Sequence, residues 1–208
     1  MIFILLVCCS KLFSQSFTAG VIAGISNTEI SGLDVYDADN DFNRLGVVFG
    51  GFVNRSFGER ISLQMELLYT TKGTYQPPPD SNSYFSYRYR LNYIEIPILF
   101  KYKMHLLVNK EELDKLEVEA GPSYAQLISS LYTDNAGLSV SDLGFNKSDF
   151  LINIGLTYYF TEDFLLDLCY SNSIVPIAPV DGNVGYSYYS IKGHYNMAFN
   201  YTLRYIFR

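Results

Sequence analysis

The chain has 208 residues and a formal charge of −6, which fits one β-domain or at most two and lacks the basic footprint that nucleic-acid binding needs. Hydrophobic residues make up 49% of it, yet no apolar run approaches the ~18 residues of a membrane helix. Aromatics are 16%, with 19 Tyr, 15 Phe and no Trp, rich in the residue types that gather at membrane interfaces; the alternative is a Tyr-rich soluble β-domain.

Met1 to Val7 is an apolar run, followed by Cys8-Cys9-Ser10-Lys11-Leu12-Phe13-Ser14-Gln15. It predicts a signal peptide over 1–15, cut near Ser14 or Gln15, and so export of a domain over 16–208. No Lys or Arg precedes the run and the leader is short; a start upstream of Met1 accounts for both. A lipoprotein signal is the alternative, but Val7 before Cys8, and Cys9 itself, are poor fits to the small residue that lipidation wants before its Cys. Removal of the leader leaves Cys169 alone, with no internal disulfide, as a small packing residue in an apolar strand. No metal-ligand spacing is present, and His105 and His194 are isolated.

Ser16–Asn27 alternates Phe17, Ala19, Val21, Ala23 and Ile25 with Thr18, Gly20, Ile22, Gly24 and Ser26. A period of two marks a β-strand, and the small second face suits a crowded interior. Thr28–Asn43 is a polar loop. Its Asp37, Asp39 and Asp41 match the start of a calcium loop, but the required Gly and Glu are missing, so a solvated acidic loop is expected. Arg44–Phe57 is the second strand, with Leu45, Val47, Phe49, Gly51 and Val53 on one face. Gly58–Arg60 is a minimal turn. Ile61–Tyr75 is the third strand, placing Glu66 and Lys72 on one face. Gln76–Tyr87, with Pro77-Pro78-Pro79, is a loop, because three prolines cannot join a ladder.

The fourth strand, Arg88–Met104, contains Tyr93-Ile94-Glu95-Ile96-Pro97-Ile98-Leu99. This resembles the Tyr-Leu-Glu-Ile-Pro-Leu signature of the PorT-like outer-membrane β-barrel family of Bacteroidetes. Ala120-Gly121-Pro122-Ser123-Tyr124, Asp149–Tyr159 and Leu166–Ile174 resemble further strands of that family in the same order. The resemblance implies an eight-stranded barrel in the outer membrane; its namesake takes part in protein secretion across that membrane. Outer-membrane strands usually end on an aromatic residue, whereas here Arg208 follows Phe207.

In the same strand Tyr89, Leu91 and Tyr93 share one parity, and Ile96, Ile98, Phe100 and Tyr102 the other. The slip near Tyr93–Ile94 predicts a β-bulge, which would also accommodate Pro97. A Lys or Arg on the lipid face at mid-membrane costs ~2–4 kcal/mol, so parity turns Glu95, Lys101 and Lys103 inward. His105–Asp114 is a charged turn. Lys115–Ser129 is the fifth strand, with Glu117 and Glu119 inward or at the rim, and Ser130–Asn146 is a loop. Lys147–Phe160 and Phe164–Ser173 are the sixth and seventh strands, joined by Thr161–Asp163. Ile174–Gly193 is a long loop. His194–Arg208 is the eighth strand, with Tyr195, Met197, Phe199, Tyr201, Leu203, Tyr205 and Phe207 on one face.

Eight strands with alternating long and short connections predict an all-β fold, an eight-stranded antiparallel up-and-down transmembrane β-barrel. A soluble sandwich has no reason to sort its loops by parity. Such a barrel is only wide enough for side chains to fill it. Parity therefore places a polar network in the lumen: Glu66, Lys72, Glu95, Lys101, Asp167 and Arg204. A narrow conductive path is the alternative. Tyr84-Phe85-Ser86-Tyr87 and Tyr186 to Tyr189 are expected in an interface girdle or a glycan- or protein-binding surface. His194 with Asp181 is too weak a pair to predict catalysis. The expectation is a monomeric, non-enzymatic barrel without cofactor or metal, with outer-membrane lipid and extracellular or periplasmic proteins as partners. Its role is structural or binding at the cell surface; secretion is the alternative.

Overall fold

The computed structural model describes residues 17–31, 42–78, 86–104, 113, 115–179 and 193–207. The leader, the triple-Asp loop, Tyr84-Phe85, His105, Asp181, Tyr186 to Tyr189 and Arg208 lie outside them. The strands are β1 Phe17–Ser31, β2 Arg44–Phe57, β3 Ile61–Gln76, β4 Tyr87–Lys103, β5 Leu116–Asp134, β6 Ser139–Ser141, β7 Ser148–Tyr159, β8 Phe164–Ser173 and β9 Tyr195–Phe207. All pairings are antiparallel, and a β4–β5 ladder closes the eight long strands into a ring. The short β6 adds to the upper part of β5, pairing Leu131–Thr133 with Ser139–Ser141.

Alternation runs cleanly through the ring. On β7, Phe150, Ile152, Ile154, Leu156 and Tyr158 are exposed, while Asp149, Leu151, Asn153, Gly155 and Thr157 are buried. β2, β8 and the lower part of β9 repeat the pattern. The outward apolar stretch of β7 covers about 27 Å of strand at ~3.3 Å per residue. A tilt of ~35–45° reduces this to roughly 20 Å of height, near the ~25 Å apolar band of an outer-membrane barrel. Aromatics edge the band. At the short-turn end Phe164 and Tyr205 lie 4.9 Å apart, Tyr158 and Phe160 5.3 Å, and Arg55 covers Phe57 at 4.9 Å. At the long-loop end the pairs are Phe49–Tyr69 at 4.9 Å, Tyr170–Phe199 at 4.8 Å and Tyr124–Phe150 at 5.4 Å.

Two glycines sit where the wall packs closely. A Cβ at Gly50 would overlap the Leu67 carbonyl oxygen, and one at Gly20 would lie 2.5 Å from the Phe52 ring that packs over it. Glycine at these two positions admits the close approach of the neighbouring strand and ring.

Three expectations change. The alternation of β4 is unbroken: Tyr89, Leu91, Tyr93, Glu95, Pro97, Leu99 and Lys101 all turn inward. The register does shift, between Asn92 and Tyr93, but Asn92 pairs with Ser129 and Tyr93 with Leu127, so the extra residue is Ile128 of β5. What reverses along β4 is the surroundings. Above the lipid band the outer face meets water and the inner face meets an apolar lid, so the apolar residues change sides while the backbone does not. Secondly, β1 runs on to Ser31, because Thr28–Ser31 pair with Tyr195–Ala198. Thirdly, β5 runs on to Asp134, opposite Tyr87 of β4. The segment expected as a loop over Ser130–Asn146 therefore begins as strand and contains β6.

One seam lacks a regular ladder. β2 and β3 pair only as far as Val48 and Thr70. Beyond, Arg44 Nη1 donates to the Lys72 carbonyl at 2.5 Å, Thr28 Oγ1 to that of Gly73 at 2.9 Å and Ser26 Oγ to that of Thr71 at 3.5 Å. Side chains thus replace the missing strand partner for carbonyls that cannot be left bare.

The outward band carries a direct prediction. Ile154 is 61% exposed at the middle of β7. Ile154→Arg should destabilise the barrel by about 2–4 kcal/mol in lipid vesicles, read by urea unfolding, whereas Ile154→Leu should leave it unchanged.

Candidate functional site

The inner faces of β3, β4, β5, β7, β8 and β9 supply polar residues that gather at two heights. Nearer the short-turn end, Arg204 of β9 reaches across the lumen. Its Nη2 lies 2.8 Å from Asp167 Oδ2 and 3.1 Å from Glu66 Oε1, and its Nη1 lies 3.0 Å from Glu119 Oε2. Lys101 Nζ lies 3.3 Å from Glu119 and 3.5 Å from Glu117. Neutral donors complete the shell: Gln64 bonds Glu66, and Thr157 Oγ1 lies 2.9 Å from Asp167 and 3.2 Å from Glu119. Arg204 is 3% exposed, so a guanidinium with a planar fork of donors holds three carboxylates from three other strands.

The second group lies nearer the long loops. Lys72 Nζ meets Glu95 Oε2 at 2.8 Å and stands 5.5 Å from the Tyr93 ring centroid. Ser123 Oγ donates to Glu95 at 2.7 Å. Asn196 Nδ2 donates to Asp149 at 2.8 Å and to the Tyr93 hydroxyl at 3.1 Å. An apolar cluster of Ile22, Val48, Phe52 and Leu68 occupies the β1–β3 wall. The cavity beside Arg204, Glu95 and Cys169 measures about 20 Å³, room for one water.

All six residues expected in the lumen are buried on the inner face. They do not form one group: Glu66, Lys101, Asp167 and Arg204 join in the lower one, Lys72 and Glu95 in the upper. Glu119, which parity left between lumen and rim, is the hub, contacting both Lys101 and Arg204. Asp149, Asn196 and Tyr93 complete the upper group. Asp149 and Asn196 share the buried parity of β7 and β9, but polar type alone does not single them out. Tyr93 was hidden by the apparent parity slip.

A lid closes the long-loop end. Ile177 is fully buried with Ile30, Leu91, Tyr93, Ala125 and Leu151, and Phe145 packs against them. Asn146 ties the two loop segments together, its N–H donating to the Ile177 carbonyl at 2.7 Å and its Nδ2 to the Pro176 carbonyl at 2.9 Å. His194 belongs to this lid: its backbone pairs with Ala178, and its Nδ1 lies 3.1 Å from the Ser31 carbonyl. Cys169 is buried on the inner face as a free thiol.

Removing one member of such a group leaves charge without a partner. Arg204→Met should cost about 3–5 kcal/mol in urea unfolding. Combining it with Glu66→Gln and Asp167→Asn should recover most of that loss, because two of its three carboxylates are neutralised with it and Glu119 keeps Lys101.

Comparison with known proteins places this geometry. By sequence, no curated protein matches. By structure, the chain is similar to Neisserial surface protein A, with a TM-score of 0.51 at 13% identity, covering 93% of this chain and 99% of that one. It is also similar to Ail, the attachment invasion locus protein of Yersinia pestis, solved with the heparin analogue sucrose octasulfate, with a TM-score of 0.48 at 10% identity, covering 92% and 99%. At such identities the likeness concerns the fold alone. The family model of the outer membrane protein beta-barrel domain matches residues 13–178. With lipid-facing strands closed round a polar interior and that match over most of its length, the chain belongs to the outer membrane protein β-barrel domain family and is an outer-membrane protein.

Proposed function

We propose that this protein is a side-chain-filled, non-conducting barrel with a structural or binding role at the cell surface. The carrying observation is the filled lumen. Two charged groups and an apolar cluster occupy it, the cavity beside Arg204 holds about one water, and Ile177 and Phe145 cover one end. A barrel so filled acts through its ends. The long connections supply the area for contact, and by the usual arrangement of such barrels they lie outside the cell, with the short turns in the periplasm. The ring closes within one chain, so the barrel itself needs no second copy.

Secretion is the second reading, supported by the resemblance of Tyr93–Leu99 to the PorT-like signature. The short-turn end favours it in one respect. A cup of about 130 Å³ opens there beside Glu59, Arg60, Lys103 and Glu117, offering charged side chains to a periplasmic partner.

Planar-bilayer recording tests the main reading. The folded barrel should insert without discrete conductance steps; sustained steps would show a continuous path through the lumen and refute it. Deletion of the gene separates the two roles: altered adhesion or ligand uptake with an unchanged secretome supports surface binding, and loss of secreted proteins supports secretion.

A further inference from the structure

The outer face of β3–β5 changes character where the lipid band stops. On β4 the last outward apolar residue is Ile94; Asn92, Arg90 and Arg88 follow on the same face. Asn92 sits in a polar row, meeting Thr71 Oγ1 at 3.2 Å and donating to Ser129 Oγ at 2.9 Å. One step further is Arg90, paired with Gly73 and Leu131, and then Arg88, paired with Tyr75 and Thr133. Arg88 lies 5.0 Å from the Tyr75 ring centroid. Both arginines are exposed and line an open concavity of about 350 Å³ with Tyr75, Ser86 and Thr133.

A third arginine arrives from the opposite side. Arg44 crosses the irregular β2–β3 seam to the Lys72 carbonyl and lies next to Gly73, where a Cβ would stand 2.9 Å from its Nη1. It is 5% exposed, its Nε has no hydrogen-bond partner, and Arg88 and Arg90 both act on it electrostatically as like charges. Among the described residues no carboxylate forms an ion pair with any of the three. Asp134 lines the concavity, but its Oδ1 accepts the Leu138 N–H at 2.8 Å and so belongs to the β5–β6 turn. Two exposed guanidinium groups with a third buried nearby, none of them ion-paired among the described residues, make a site for an oxyanion, and phosphate fits the forked donors of Arg88 and Arg90.

Height decides which phosphate. Arg90 stands four residues past Ile94, about 10 Å above the edge of the band at ~3.3 Å per residue and a ~40° tilt. Its side chain can lean back toward the headgroups, as long cationic side chains do at interfaces. We propose that Arg88 and Arg90, with the buried positive charge of Arg44 behind them, form a binding site for the phosphates of an outer-leaflet lipid headgroup, anchoring one lipid against β3–β5. The site rests on the reading that the long-loop end faces outside.

The test uses the full chain folded in maltoside micelles, with bound lipid read by native mass spectrometry. The probes are bisphosphorylated lipid A, its dephosphorylated form, inorganic phosphate and a soluble sulfated oligosaccharide. Lipid A should be retained, and its retention should fall at least tenfold on dephosphorylation or in Arg88→Gln/Arg90→Gln. Arg88→Lys/Arg90→Lys should recover part of it. Both positions are exposed and outward, so the heat-dependent gel shift of a folded barrel should persist in every variant. With that shift intact, unchanged lipid retention in the Gln variant overturns the site without touching the filled-barrel reading. Equal retention of dephosphorylated lipid overturns it too. Displacement of lipid A by the oligosaccharide or by inorganic phosphate at matched phosphate or sulfate concentration would assign the arginines to a soluble anion instead.

Discussion

Closure of the hydrogen-bonded ring is the constraint from which the rest follows. In hydrocarbon a strand edge has nothing to bond with, so a sheet survives there only when its first and last strands meet. Here the β4–β5 and β1–β9 ladders complete the circle. Where the ladder fails, above Val48 and Thr70, Arg44, Thr28 and Ser26 bond the exposed carbonyls. The prolines obey the same rule. The β3–β4 pairing skips Glu66 opposite Pro97, and the β4–β5 pairing skips Ile98 opposite Pro122.

A closed ring of eight leaves a narrow interior, and its contents set the character of the protein. Buried charge is expensive, and pairing recovers the cost only with good geometry and full hydrogen bonding. The lower group pairs its charges by sharing: four carboxylates, Glu66, Glu117, Glu119 and Asp167, divide two cations, Arg204 and Lys101, while Arg204 Nε and Glu117 Oε2 have no hydrogen-bond partner. Since these residues come from β3, β4, β5, β8 and β9, the group also pins distant parts of the wall together.

Most of the ring was legible from alternation alone. β2, β7, β8 and the lower part of β9 each face one medium on each side for their full membrane length, so a period of two reads directly as inside and outside. The upper halves of β1, β4 and β5 were not legible in that way. There the outside is polar and the inside is an apolar lid formed with Ile177 and Phe145, residues distant in sequence. A local pattern carries no sign of such a lid, and the exchange of media along β4 imitates a change of strand parity. The lumen charges were readable because a charge facing lipid is prohibitive. Their division into two groups was not, since it depends on strand stagger round the ring. Glu119 shows the limit: its parity was plain, but its place as hub follows from Arg204 and Lys101 converging from other strands.

The central claim is that the alternating apolar faces look onto acyl chains. The chain contains no Trp, so a single introduced Trp reports its own surroundings. Ile152→Trp, Leu203→Trp and Phe207→Trp barrels in vesicles of lipids brominated at defined acyl depths measure this directly. The account predicts strong bromine quenching at all three, deepest at position 203 and shallowest at position 207, with little quenching by aqueous acrylamide. Efficient acrylamide quenching at position 203 with no response to brominated chains would contradict it.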